Sequence, residues 1–250
     1  MTAFASLARL TATVLLGVAV LVALGILPAA AQDLTLDLGD GATSTGRIIQ
    51  IIALITVLTL APSILVMVTS FTRIVVVLSF LRTAMGTQSA PPNTVIVSLA
   101  LFLTGFVMAP TLQEVYDVGL RPLMDGLITE EVAFDRAIVP VRAFMLAHVR
   151  PEDLDLFVGM AGVEVETAEQ APLSTLIPAF MISELRRAFE IGFLIFLPFL
   201  VIDMVVASVL MSMGMMMLPP IMIALPFKLI FFVLVDGWYL IAGSLVESFG

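Results

Sequence analysis

Three charged residues lie inside long apolar segments, where an ionised side chain requires a physical reason. Asp203 lies in the apolar segment 188–213, and Lys228 and Asp236 lie in the segment 221–246. A lone charge at mid-membrane costs roughly 2.5–3.5 kcal/mol, so such groups need a partner or a water-filled cavity. We expect an ion pair, within or between chains, in which Asp203 faces Lys228. The alternative is a site for a transported ion or proton, with Asp203 and Asp236 as its carboxylates.

A second group of charges lies where the polar middle of the chain meets the apolar segment 188–213. Its members are Glu184, Arg186, Arg187 and Glu190. Spacings of three and four residues allow Glu184 to pair with Arg187, and Glu190 to pair with Arg186 or Arg187, on one helix. The group is interpreted either as the solvated start of a helix or as a contact between subunits.

The segment 211–220 combines an apolar composition with residues that favour a loop. Five of its residues are methionines: Met211, Met213, Met215, Met216 and Met217. Gly214 and two prolines at 219–220 interrupt a continuous helix. An apolar loop must be covered, and unbranched methionine side chains fill irregular gaps. Two interpretations follow: a turn packed in the core, or a soft apolar seal across a pore made by several copies of the chain.

Several kinds of chemistry are excluded by composition. The chain has no Cys and a single His, His148. Disulfides, thiolate nucleophiles, cysteine-based zinc sites and multi-histidine metal sites are therefore excluded. No phosphate-binding loop, dinucleotide fingerprint or Ser–His–Asp arrangement is present. We expect no enzymatic activity, no cofactor and no metal.

The overall composition is that of a membrane protein. Hydrophobic residues make up 60% of the 250 residues and charged residues 12%, with a mean hydropathy of +1.15. Soluble proteins have about 45–50% and about 25%, respectively. The formal net charge of −9 excludes nucleic-acid binding, which needs clustered Lys and Arg. The predicted fold class is an all-α membrane protein.

The N-terminus has the pattern of a cleavable signal peptide. A single basic residue, Arg9, precedes an apolar run over residues 10–27, and residues 29–31 form an A-x-A site. This pattern predicts a signal peptide over residues 1–31. The alternative is a retained membrane helix. After cleavage, the polar residues 32–46 form an extracytoplasmic tail.

The remaining apolar segments fall into two pairs. We predict one kinked helical hairpin over residues 47–113 and a second over residues 188–250. Pro62 predicts a kink or break in the first hairpin, and Pro91 with Pro92 predicts the start of its second helix.

Between the hairpins, residues 114–187 contain most of the acidic residues and predict a small helical domain. Apolar residues at near-helical spacing over 134–150 are interrupted by Pro140, and Pro151 opens a further helix. The turn inside the first hairpin carries Arg73 and Arg82 and no acid, which predicts that it is cytoplasmic. The middle domain is then extracytoplasmic, on the periplasmic side.

Several long stretches together resemble one family. They are residues 178–193 and 226–238, supported by residues 72–82, 88–93, 102–110 and 213–220. In this order they resemble the FliP family, the flagellar members of the P-type subunits of the type III secretion export gate. The similarity extends from about Arg47 to the C-terminus. The signal peptide and polar tail favour the flagellar member over its injectisome relatives.

The resemblance implies a specific assembly. It implies about five copies of the chain arranged helically with FliQ and FliR, contact with FlhB and FlhA, and a location in the inner membrane at the flagellar basal body. It also implies a channel for unfolded polypeptides that the methionine loop closes, and segments that need not each span lipid. An ion or small-molecule transporter remains the alternative, although no internal repeat is visible.

Overall fold

The structure, a computed structural model, covers most of the chain beyond the predicted signal peptide. The described residues are 44–87, 89–215 and 218–250. The predicted signal peptide and all but the last three residues of the predicted tail lie outside the described residues. Every regular element in the described ranges is helical and none is a strand, which confirms the predicted all-α class. The chain divides into two compact units, residues 1–55 and 56–250; of the first, only the helical residues 44–55 are described.

Helices follow one another along the chain with short connections. In chain order they are α1 (Ser44–Met67), α2 (Phe71–Ala84), α3 (Asn93–Val115), α4 (Arg121–Met124), α5 (Glu130–His148), α6 (Pro151–Ala161), α7 (Leu173–Ser212), α8 (Pro220–Leu234) and α9 (Gly237–Glu247). A π-helical turn, Tyr116–Leu120, joins α3 to α4, and a 3₁₀ turn, Ala168–Gln170, precedes α7.

The first apolar segment, residues 48–81, forms two helices, and they do not separate at Pro62. Helix α1 continues past residue 62 and ends at Met67. The break lies at residues 68–70, where Thr69 and Ser70 are buried. The Phe71 N–H donates to the Thr69 hydroxyl at 3.4 Å. Ser and Thr side chains offer backbone groups an alternative to helical bonds, which favours a break at this point.

Other prolines also lie inside continuous helices. Helices α3, α5, α7 and α8 run through Pro110, Pro140, Pro178, Pro198 and Pro226. The predicted interruption at Pro140 is therefore wrong, and this proline is buried within α5. A proline removes one helical hydrogen bond, but packing against neighbouring helices can offset the loss.

Two predicted helix starts are confirmed. Helix α3 begins at Asn93 with Pro92 as its N-cap residue, and α6 begins at Pro151. Helix α3 continues through the π turn and α4, so that Asn93–Met124 form 32 helical residues. Gly119 in the π turn allows close approach to α5, because a Cβ there would lie 3.0 Å from the Ala137 Cβ.

Helix α7, with 40 residues, connects the main packed regions of the second unit. Its first turns pack with α5 and α6 around Met145 and Phe180. Its middle packs against α2 and α3 at Ala188, and its later turns pack against the end of α2 and α8 at Phe199. The predicted boundary between residues 187 and 188 therefore falls inside one continuous helix.

By length and composition, two helices among the described residues can cross a membrane: Asn93–Met124 and Leu173–Ser212. Helices α8 and α9 together form a third candidate, bent by 64° at their junction. Large apolar side chains of these helices stay exposed in the single chain. The pairing of apolar segments into two membrane hairpins stays a prediction.

Candidate functional site: a methionine-rich turn and buried ion pairs

The methionine-rich turn between α7 and α8 begins with a Schellman motif. The Gly214 N–H donates to the Met211 carbonyl at 3.1 Å, and the Met215 N–H donates to the Leu210 carbonyl at 3.0 Å. Gly214 has a φ of 73°, a left-handed conformation that glycine adopts without a Cβ clash. The motif ends α7 in a defined turn, and Pro219 then precedes the first residue of α8.

The predicted seal residues are divided between helix and turn. Met211 lies in the last turn of α7, Met213 is its C-cap residue, and Met215 lies in the turn. Met216 and Met217 lie outside the described residues. Met211 and Met213 are each 60% exposed and Met215 is 37% exposed, so these three are not packed into the core of their own chain.

Asp203 and Lys228 lie together, in α7 and α8. Lys228 Nζ donates to Asp203 Oδ2 at 2.6 Å and to the Ala84 carbonyl, at the end of α2, at 3.2 Å. Lys228 is almost completely buried, whereas the side chain of Asp203 is one-third exposed. The ammonium group thus neutralises a carboxylate and also caps a helix C-terminus, where a positive charge is favourable. This one cation connects α2, α7 and α8.

A second ion pair, fully buried, joins α2 to α7. Arg73 Nε donates to Glu184 Oε2 at 2.8 Å, and Arg73 Nη2 pairs with Glu184 Oε1. Arg73 Nη1 donates to the carbonyl and hydroxyl oxygens of Ser248 at 2.9 and 3.0 Å. The guanidinium carbon lies 3.6 Å from the centre of the Phe249 ring. A bidentate pair with these further contacts offsets much of the cost of removing both charges from water.

Sequence reasoning missed this second pair. It placed Arg73 with Arg82 in a turn and paired Glu184 with Arg187. Arg73 is instead buried inside α2, and Arg82 alone stays near the turn, where its Nη1 donates to the Pro91 carbonyl at 3.4 Å. The predicted orientation therefore rests on one arginine at the turn, Arg82 in the last turn of α2, instead of two. The rule that a charge in an apolar helix needs a partner applies to Arg73 as it does to Lys228, and it could have found the pair.

The exposed part of the predicted charge group forms an ion pair. Arg186 Nε lies 3.1 Å from Glu190 Oε1, and both side chains are more than half exposed. Arg187 is half-buried. Among the described residues, the ion pairs of Glu184 and Glu190 are made with Arg73 and Arg186, and not with Arg187.

Asp236 lies at the bend between α8 and α9. Its φ of 50° and ψ of 53° are left-handed, a conformation that Asp tolerates better than most non-glycine residues. The residue is exposed. The left-handed backbone conformation accounts for an aspartate at this position, and no buried charge site is needed to explain it.

His148 belongs to an aromatic cluster at the end of α5. Its Nδ1 lies 2.8 Å from the Phe144 carbonyl oxygen, and its ring centre lies 5.2 Å from that of Phe249. His148 is therefore partly packed among aromatic side chains at this end of the helix. Within the described ranges, no group of three or more His, Asp or Glu side chains is placed to hold a metal ion.

Together these features define a protein that is all-helical over its described residues, with apolar helices long enough to cross a membrane and buried charges that connect helices to one another. Comparison with known proteins identifies the protein family. The sequence model of the FliP family matches residues 54–245. The chain therefore belongs to the FliP family.

Named relatives extend this match over most of the chain. The flagellar biosynthetic protein FliP of Caulobacter vibrioides is 61% identical over 91% of this chain and 87% of that relative. The flagellar biosynthetic protein FliP of Bacillus subtilis is 57% identical over 80% of this chain and 91% of that relative. The protein of the same name from Agrobacterium fabrum is 50% identical over 94% of this chain and 98% of that relative. A role in flagellar biosynthesis follows from family membership.

Proposed function

We propose that this chain is a channel-forming core subunit of the flagellar type III protein export gate, through which unfolded flagellar proteins cross the inner membrane. One observation carries the proposal beyond family membership: the turn between α7 and α8 is apolar and methionine-rich, yet its described methionines are exposed in the single chain. Exposed apolar turns are covered in an assembly or a membrane. Copies of the chain arranged around a common axis would bring these turns together.

A ring of such turns closes a pore for a physical reason. A narrow apolar constriction is unfavourable to wet, so it stops water and ions without a rigid plug. Methionine suits a closure that must re-form around changing polypeptides, because its side chain is unbranched and has three rotatable bonds. The Schellman motif at Gly214 gives every copy the same backbone at the end of α7.

The partners and sidedness form part of the proposal. We expect about five copies of the chain to assemble with FliQ and FliR, next to FlhB and FlhA. The middle domain, residues 114–187, faces the periplasm. Large apolar side chains of α3, α7 and α8 are exposed in the single chain. Their exposure supports the proposal that lipid or neighbouring subunits cover them.

The seal is tested by changing the polarity of the turn while the complex stays assembled. Replacing Met211, Met213 and Met215 with Ser should let ions leak through the resting gate, whereas Leu at the same positions should leak much less. The measurement is membrane conductance, with complex assembly assayed in parallel. Met160→Ser provides a matched control, because Met160 is also exposed but lies in α6. Assembled Ser variants as tight as the parent would contradict the seal.

The transporter alternative relies on Asp203 and Asp236 as coupling carboxylates. Asp203 is paired with Lys228, and Asp236 occupies a left-handed position at a helix bend. Both carboxylates therefore have a structural explanation, and the gate is the function that these residues favour.

A further inference from the structure

The methionine-rich turn is also a concentration of oxidisable thioethers. Five of the 15 methionines of the chain lie within seven positions, and the chain has no cysteine that would react first. Three of the five are measurably exposed, Met211 and Met213 at 60% and Met215 at 37%. By contrast, Met85, Met108 and Met145 are at most 3% exposed. In the proposed seal these side chains face the channel, so hydrogen peroxide in the channel reaches them before it reaches the methionines buried in the core.

We propose that Met211, Met213 and Met215 form a peroxide-sensitive modification site whose oxidation opens the resting gate. This inference rests on the proposed seal. It assigns the turn a second property, a response to oxidants that reach the export channel.

The chemistry is a two-electron oxygen transfer from hydrogen peroxide. A lone pair on the thioether sulfur attacks one peroxide oxygen, a sulfur–oxygen bond forms and the oxygen–oxygen bond breaks. The proton on the transferred oxygen moves to the departing oxygen, which leaves as water. The sulfur is oxidised to the sulfoxide and the peroxide is reduced. Methionine sulfoxide reductases reverse the change, using two thiols that become a disulfide and releasing water.

The sulfoxide changes the property on which the seal depends. It converts a flexible apolar side chain into a polar one that accepts hydrogen bonds from water. A constriction that stays closed by excluding water then becomes easier to wet, and ions follow the water. Each copy of the chain adds its own turn to the ring, so partial oxidation of several copies is enough to hydrate it.

The first measurement maps the modification in membranes that carry the assembled complex. Membranes are treated briefly with hydrogen peroxide, and sulfoxide is quantified at each methionine by peptide mass spectrometry. We expect several-fold more sulfoxide at Met211, Met213 and Met215 than at Met85 and Met145, the buried internal controls. A turn that stays as unreacted as the buried methionines would overturn the proposal.

The second measurement connects the modification to the gate. Peroxide should raise the conductance of parent membranes several-fold, and methionine sulfoxide reductases A and B with a thiol reductant should restore it. A variant with all five turn methionines replaced by Leu should not respond. Met160→Leu should respond like the parent, because it removes an exposed thioether outside the turn.

The outcomes separate this inference from the proposed seal. If unoxidised Ser variants of the turn leak but oxidised parent membranes stay tight, the seal stands and the oxidative response is wrong. If the Ser variants stay tight as well, the seal itself fails. A peroxide response that persists in the Leu variant would place the oxidised group elsewhere.

Discussion

At the scale of single residues, the buried Arg73–Glu184 pair is where removing one partner should cost the most stability. Both side chains are fully buried, and Arg73 also donates a hydrogen bond to Ser248 and packs over the ring of Phe249. Replacing Arg73 with Met leaves a buried carboxylate without its cation. We expect this to lower the free energy of unfolding by about 3–5 kcal/mol. Unfolding in mild detergent can be followed by the fluorescence of Trp238, the single tryptophan.

Helix α7, which carries Glu184, also provides a matched control for the Arg73 substitution. Arg186→Met removes the exposed pair with Glu190, which contributes only about 0.3–0.5 kcal/mol. The double variant Arg73→Met/Glu184→Leu should be more stable than Arg73→Met alone, because it leaves no buried charge unpaired. If Arg73→Met costs no more than Arg186→Met, the buried pair does not stabilise the fold.

Variants of the Asp203–Lys228 pair can distinguish a structural role of these charges from a role in transport. Asp203→Asn or Lys228→Met alone leaves one charge uncompensated and should reduce swimming motility. The double variant should recover part of the loss, although the Ala84 carbonyl still lacks its donor. Motility in soft agar, with the amount of chain in membranes as a control, measures the coupling. Losses that simply add would mean that the contact is not direct, and a double variant with no activity at all would favour a coupling carboxylate.

At the scale of elements, the close crossing of α2 and α7 depends on Gly192. A Cβ at Gly192 would lie 2.6 Å from Phe80 Cδ2 and 2.8 Å from Phe80 Cγ. The Phe80 ring is also held edge-on against Phe189, with ring centres 5.0 Å apart. Gly192→Ala should therefore separate the helices and cost about 1–3 kcal/mol, as overpacking does. Thermal unfolding in detergent measures the change.

Gly105 in α3 is the control for this substitution. A Cβ at Gly105 would have no atom within 4 Å outside its own helix. Gly105→Ala removes conformational freedom from the unfolded chain and should stabilise the helix by about 0.4–1 kcal/mol. Equal effects of Ala at positions 192 and 105 would show that the crossing tolerates a methyl group.

At the scale of the whole molecule, the proposed sidedness predicts where an introduced thiol can be labelled. The chain has no native cysteine. Glu166→Cys lies in an exposed connection after α6, in the middle domain. A membrane-impermeant maleimide should label it from the periplasm. Ser89→Cys, exposed in the turn between α2 and α3, should react only after lysis. Labelling of Glu166→Cys from the cytoplasm alone would show that the orientation is the opposite of the proposed one.

Features that depend on neighbouring residues could be predicted from the sequence. The apolar composition indicates helices, because backbone groups in lipid must bond within their own segment. Pro151 marks a helix start, since proline fits the first turn and lacks the N–H that would otherwise be unsatisfied, and Pro92 is the N-cap residue directly before another helix. Gly214 marks the end of α7 for the complementary reason, its freedom to adopt a positive φ.

Contacts between helices that are far apart along the chain were decided by the tertiary structure alone. Glu184 lies 111 residues from Arg73 in sequence, and its nearer candidate, Arg187, is not its ion-pair partner. Local spacing shows which pairs can form on one helix, but a buried carboxylate pairs with the cation that packing places against it. In the same way, Pro140 and Pro198 remain inside helices because tertiary contacts can offset a local preference against them.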